Sequence, residues 1–147
     1  MAFLQSLDNV TAGKVLQVKR VMQTSAWVST SSAQVEIINK AITPSSTSNK
    51  IISRVTFRYS YPDGTCSHGG YESQLFRGST VINVPNENYY YFAHESPQNY
   101  QEQYTMFTHM DTVPAATAVT YYYKCASGYG ISITINHCEM VLTEIEG

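Results

Sequence analysis

The sequence predicts an all-β fold, a jelly-roll-like antiparallel β-sandwich of about ten strands with little or no helix. Three observations carry that expectation. Apolar and polar residues alternate with a period of two in several separate segments. Gly, Pro, Asn, Asp and Ser punctuate the chain at short intervals. No window carries an i, i+3, i+4, i+7 apolar stripe, and Val, Ile, Thr and Tyr, whose side chains lose rotational freedom in a helix, are abundant.

The elements follow in order. Gly13 to Gln23, Ala26 to Ser29 and Gln34 to Ile42 read as strands. Pro44 ends the third, because it biases Thr43 toward extended geometry and cannot donate to a sheet. The uncharged segment from Thr43 to Asn49 is then a connector that turns the chain into the next strand. From Lys50 to Ser60, Ile51, Val55, Phe57 and Tyr59 share one face, and Arg54, Thr56, Arg58 and Ser60 share the other. "YPDGT" at 61–65 is a tight-turn signal, and "LFRGSTVI" at 75–82 reads as two apolar arms around Gly78. Asn88 to Glu95 and Gln103 to Val113 are further strands. "AVTYYYKC" puts Val119, Tyr121, Tyr123 and Cys125 on one face, and "GISITIN" does the same for Ile131, Ile133 and Ile135. Met140 to Glu146 reads as a separate closing strand.

A chain of 147 residues fits one domain and buries roughly 70 % of its unfolded surface. Residues 13–147 are expected to form it, with 1–12 as a short N-terminal arm or first strand in which Phe3, Leu4 and Leu7 are candidate docking residues. The composition, 43 % hydrophobic and 14 % charged, is that of a globular protein whose solubility rests on neutral polar side chains. The net charge is −2 and the nine Lys and Arg are scattered, so there is no basic stripe for nucleic acid. Nothing approaches the ~18 apolar residues of a membrane span, and "MAFLQSLDNV" lacks the basic start of a signal peptide. Folding in the cytoplasm that makes the chain is expected, without membrane insertion.

Cys66, Cys125 and Cys138 cannot all pair within one chain and show no CxxC spacing. Cys125 ends an alternating strand and reads as a buried free thiol. His68, His94, His109 and His137 join them as conceivable zinc ligands, but only Cys66 with His68 and His137 with Cys138 lie close in sequence, a poor match to structural zinc spacing. "HCE" at 137–139 matches half of the zinc-deaminase signature, and the required downstream P-C-x-x-C is missing. No nucleophile elbow, H-E-x-x-H, P-loop or dinucleotide fingerprint occurs. Glu72, Glu87, Glu95, Glu102 and Asp111 are the acids from which a glycosidase pair would be drawn, and solvated strand edges account for them more simply. The expectation is therefore a non-enzymatic protein with no cofactor and no metal, a hydrolase being the remote alternative.

Aromatic surface is the more informative signal. Twelve tyrosines accompany one tryptophan, and "NENYYYFAHE" presents rings to both faces of any strand it forms. Tyrosine joins an apolar body to a polar tip, which suits protein interfaces and sugar stacking alike. Tyr89, Tyr90, Tyr91, Tyr100 and Tyr104 are accordingly candidate interface or glycan contacts.

The order "GKVLQV", an uncharged Ser/Thr segment, "ITPSSTSNKI", "LFRGSTVI", "DTVPAATAVTYYYKC" and "MVLTEIEG" resembles a β-rich module of tailed bacteriophages, of tail-fibre or knob type, in phages of marine and other aquatic bacteria, cyanophage-like. The similarity runs from about Gly13 to the end, and "ITPSSTSNKI" is its most distinctive piece. The resemblance implies a virion surface protein, a homotrimer that partners itself and other tail or capsid proteins. Its loops would face the host. A capsid decoration protein and a glycan-binding host-adhesion module are the alternatives it leaves open.

Overall fold

The computed structural model describes residues 13–60, 68–69, 71–86, 92–93, 103–128 and 132–147. Eleven strands follow one another: β1 Val15–Met22, β2 Trp27–Ser29, β3 Val35–Ile42, β4 Lys50–Ser60, β5 His68–Gly69, β6 Tyr71–Arg77, β7 Thr80–Asn86, β8 Phe92–Ala93, β9 Gln103–Thr112, β10 Val119–Ser127 and β11 Ile133–Ile145. Nine of them build an antiparallel sandwich. One sheet has the order β1-β11-β4-β9 with β2 also on β11, the other β3-β10-β6-β7, and β5 pairs β8 as a small ribbon. Consecutive strands change sheet at β2–β3, β3–β4, β9–β10 and β10–β11, the crossing pattern of a jelly-roll-like sandwich rather than a meander. Among the described residues there is no helix, hence none long and apolar enough to cross a membrane.

Alternation decides what is inside. β4 buries Ile51, Val55, Phe57 and Tyr59 as its pattern predicts, against Tyr121, Tyr123 and Cys125 of β10 and Tyr71 and Leu75 of β6. Aromatic rings make up the middle of this core. Phe57 lies 5.3 Å from Tyr123 and 5.6 Å, edge-on, from Tyr71, while Phe107 of β9 reaches Tyr123 at 5.4 Å. These pairs connect the two sheets directly, which is why substitutions here act on the whole domain.

The hairpin at Gly78 forms as expected. Arg77 pairs Thr80 across a two-residue turn, and Gly78 takes φ 58°. A side chain there would meet no atom within 4 Å, so only the left-handed backbone excludes it, at roughly 1–2 kcal/mol. β3 also stops at Ile42, just before Thr43-Pro44.

Two expectations need correction. The segments read as two strands, "GISITIN" and Met140 to Glu146, are one 13-residue strand, β11. An extra residue, Asn136, sits between Ile135 and His137 in the pairing with β4 and shifts the inward phase from odd to even positions. Ile133 and Ile135 therefore point in, followed by Cys138, Met140, Leu142 and Glu144. Ser60 is the second correction: it is buried rather than solvent-facing and accepts a 3.0 Å hydrogen bond from Asn136 Nδ2 at that bulge. The arm residues Phe3, Leu4 and Leu7, the turn "YPDGT", and Cys66 lie outside the described residues, as does most of the segment from Asn88 to Glu95.

Candidate functional site

β9 is an edge strand, joined to β4 on one side, and its sequence QYTMFTHMDT alternates cleanly. The odd-numbered side turns inward, with Phe107 packed on the core. The other side presents Tyr104, Met106, Thr108, Met110 and Thr112 to solvent, with Tyr104 at 70 %, Met106 at 64 % and Met110 at 60 % exposure. That face of β9 carries no charge. An uncharged, largely apolar face on an edge strand is unusual, because edges are ordinarily protected by Lys, Pro or bulges.

Behind the stripe the same sheet face becomes mixed. Met110 pairs Ile52 of β4 and Met106 pairs Thr56, whereas Thr108 pairs Arg54 and Tyr104 pairs Arg58. The Arg58 guanidinium lies 6.0 Å from the centre of the Tyr104 ring, the outer limit of a cation–π contact. On the far side of the sheet, Arg20 of β1 is hydrogen-bonded to Glu139 of β11. Apolar side chains are also exposed on β1 at the opposite edge, Val15, Leu16, Val18 and Met22, where Lys19 and Arg20 interrupt them.

The inward side of β9 anchors the strand. Asp111 accepts hydrogen bonds from Arg77 Nη1 at 2.7 and 2.9 Å and from the Tyr121 hydroxyl at 2.7 Å. Arg77 and Tyr121 belong to the opposite sheet, so this cluster clips the two layers together. Burial, and then the hydrogen bond to Asp111, raise the Tyr121 phenol well above its ordinary value, keeping it a donor. Nearby, Asn83 Nδ2 of β7 and His109 Nδ1 of β9 lie 2.9 Å apart, a second link between the sheets.

Of the residues singled out by sequence, the structure places Tyr104 on the exposed stripe. Tyr89, Tyr90, Tyr91 and Tyr100 lie outside the described residues. The stripe's other large members, Met106 and Met110, were missed, although their alternation with Phe107 and His109 was a readable signal. Asp111 is corrected: it is 7 % exposed and engaged by Arg77 and Tyr121 rather than solvated at a strand edge. Glu72 accepts a hydrogen bond from Gln74 Nε2 at 2.6 Å, and Glu87, Glu95 and Glu102 lie outside the described residues. Cys125 and Cys138 are free and buried. Burial raises both thiols, Cys138 to about 12, so they stay protonated and behave as small hydrophobes. No cluster of three or more His, Cys, Asp or Glu suited to a metal occurs among the described residues.

Neither a protein-family model nor a curated protein sequence matches the chain. Among solved structures it is similar to the insecticidal delta-endotoxin Cry8Ea1 from Bacillus thuringiensis, with 17 % identity, a TM-score of 0.43, and coverage of 78 % of this chain and 19 % of that one. It is also similar to dimeric latent PorU from Porphyromonas gingivalis, with 12 % identity, a TM-score of 0.47, and coverage of 92 % and 14 % respectively. This chain therefore spans less than a fifth of either protein's length.

A second polar cluster explains the serine-rich connector. Glu144, fully buried on β11, accepts from Ser45 N at 2.7 Å, Ser45 Oγ at 2.8 Å and Asn49 Nδ2 at 2.6 Å on one oxygen, and from Gln17 Nε2 at 2.6 Å on the other. Gln17 Nε2 also donates to the Thr43 carbonyl at 2.7 Å. The connector between β3 and β4 is thereby bound to β11 and β1. Burial alone would raise the Glu144 carboxyl, but the hydrogen bonds from Asn49, Gln17 and Ser45 outweigh it and bring the group down to about 2. This is a structural carboxylate, its lone pairs spent on the connector.

Proposed function

We propose that the chain is a non-enzymatic structural protein of a bacteriophage virion surface, of tail-fibre or knob type, and that it assembles as a homotrimer through β9. The observation that carries this reading is the uncharged stripe Tyr104, Met106 and Met110, held on a strand that Asp111 fixes from behind. Three copies presenting that stripe to a common axis would remove it from water, and cyclic symmetry closes the assembly without leaving a fourth sticky surface. Burying a Met side chain contributes about 1.5–3 kcal/mol, so two per copy supply a substantial part of a stable contact. The resemblance of its segment order to tail-fibre modules supports the virion setting.

Light scattering of the purified chain tests the assembly. At micromolar concentration the expected mass is three times 16.4 kDa. A Met106→Lys/Met110→Lys double variant is expected to run as a folded monomer, because both side chains are exposed and lysine is tolerated on strand edges. A monomeric wild type, or a variant that remains trimeric, would refute assembly through β9.

A further inference from the structure

The two sheets of the sandwich end in four edges, formed by β1, β9, β3 and β7. Backbone N–H and C=O groups on an edge are open to any extended chain, and natural proteins protect them with charges, prolines, bulges or shortness. Three of these edges carry such devices. β1 has a register break between Val15 and Gln17 and the charges Lys19 and Arg20 along its length. β2, which also pairs β11, is three residues long. β3 has a break opposite Tyr123 and Lys124 and carries Glu36 and Lys40. β7 breaks register with β6 twice and contains Pro85, which has no backbone N–H to donate.

β9 has none of these. Its ten residues pair with β4 from Gln103 opposite Tyr59 to Thr112 opposite Lys50 without a shift, and it contains no Pro, Lys or Arg. Its one carboxylate, Asp111, turns inward to Arg77. Among the described residues nothing pairs with the other side of β9. In an antiparallel ladder alternate residues direct both backbone groups to the neighbouring strand and the rest direct them away, so about five residues of β9 present an N–H and a C=O outward.

The edge is also held in place. Phe107 packs on Tyr123, His109 lies 2.9 Å from Asn83 Nδ2, and Asp111 accepts from Arg77 and Tyr121. Arg77 Nη1 donates at 2.9 Å to the Thr112 carbonyl as well. Every second residue from 107 to 111 is thereby tied to the opposite sheet. An incoming strand meets a preformed ladder, and less ordering is needed when it pairs.

We propose that the free edge of β9 receives an extended, uncharged strand of a partner protein, adding one strand to the β1-β11-β4-β9 sheet. A row of backbone donors and acceptors specifies an extended peptide rather than a helix or a sugar. Side chains narrow the class further. On the exposed face the incoming residues lie beside Tyr104, Met106, Thr108, Met110 and Thr112, which suit apolar and hydroxylated neighbours and hold no counter-charge for a Lys or Glu. This goes beyond the assembly reading and does not rest on it. The trimer contact uses side chains that project from the sheet face, whereas strand addition uses the backbone at the sheet edge.

Amide hydrogen exchange in the isotope-labelled full chain, read residue by residue by NMR, tests the proposal with the acetylated and amidated peptide TVTITVT as probe. In the free chain one alternate set of β9 amides is expected to exchange fast, and the set facing β4 slowly. The peptide should slow the fast set about tenfold, saturating with a dissociation constant of about 100 µM, and leave the amides of β1, β3 and β7 unchanged. N-methylating the peptide at the alternate positions that face β9 should abolish the effect, and methylating the other alternate set should not. Thr108→Lys, which puts a charge midway along the edge, should weaken binding about tenfold with unchanged circular dichroism, while Thr108→Val should bind like the wild type. The proposal is overturned if the peptide leaves the fast set unaffected, if both methylated peptides act alike, or if Thr108→Lys binds like the wild type. A β9 whose outward amides are already protected in the free chain would overturn it too, and loss of that protection on dilution would assign the edge to a second copy instead of a partner.

Discussion

Replacing Glu144 by alanine is expected to destabilise the domain by about 3 kcal/mol at neutral pH, because four hydrogen bonds to a buried carboxylate vanish together, the buried Asn49 amide loses its charged acceptor, and the half-buried Gln17 and exposed Ser45 are released from the connector. Glu144→Gln keeps the shape but turns one oxygen into a donor among donors, so it too should lose stability. The pH dependence gives an independent check. The Glu144 carboxyl is brought from 4.5 in the unfolded chain to about 2 in the folded one. Its contribution, roughly 3 kcal/mol, is therefore fully present above pH ~4.5 and is lost as the pH falls through the folded value. Urea unfolding of wild type and Glu144→Gln between pH 7 and 2 reads this directly. The gap between them should be widest at neutral pH and close toward pH 2. A gap that is flat with pH would show that the connector, not the charge, carries the stability.

Phe57→Ala is expected to have an effect of similar or greater size, about 4 kcal/mol. Phe57 is fully enclosed and contacts Tyr59 and, across the sheet interface, Tyr71 and Tyr123. Truncation opens a cavity that those rings, being rigid, cannot fill. Phe57→Leu keeps most of the volume and should cost about 1 kcal/mol. Denaturant midpoints for the two variants, with the slope unchanged, are the measurement. Equal small losses would mean that the core relaxes far more than a ring-filled sandwich should.

How much was legible in the sequence depends on how local the cause is. The bounds of β4 were legible because its alternation holds as far as Tyr59 and a proline-led connector precedes it; only Ser60, buried beside the bulge at Asn136, departs from the pattern. The Gly78 hairpin was legible for the same reason: one positive-φ residue between two apolar arms. β11 was not, because a one-residue bulge at Asn136 reverses the phase, and a phase reversal in sequence looks like two strands. The connector at 43–49 illustrates a deeper limit. Its serines and asparagine read only as turn formers, but their partner, Glu144, is 95 residues or more away in sequence. One sign was available: Glu144 continues the inward series Cys138, Met140, Leu142, and a carboxylate in an apolar series demands donors from somewhere.

The candidate site was legible only in part. Tyr104 was singled out through tyrosine abundance, whereas its neighbours Met106 and Met110 make up most of the exposed stripe. Edge strands and bulges are where function is written on a sandwich, and they are also where period-two reasoning fails.

The assembly reading is tested most directly on the particle itself. On the proposed reading, gold-labelled antibody against the purified chain, applied to intact phage particles from cells producing it, should decorate one fixed location on tail or capsid in copies divisible by three. Recovery of the protein free in the lysate, with washed particles unlabelled, would contradict a virion role.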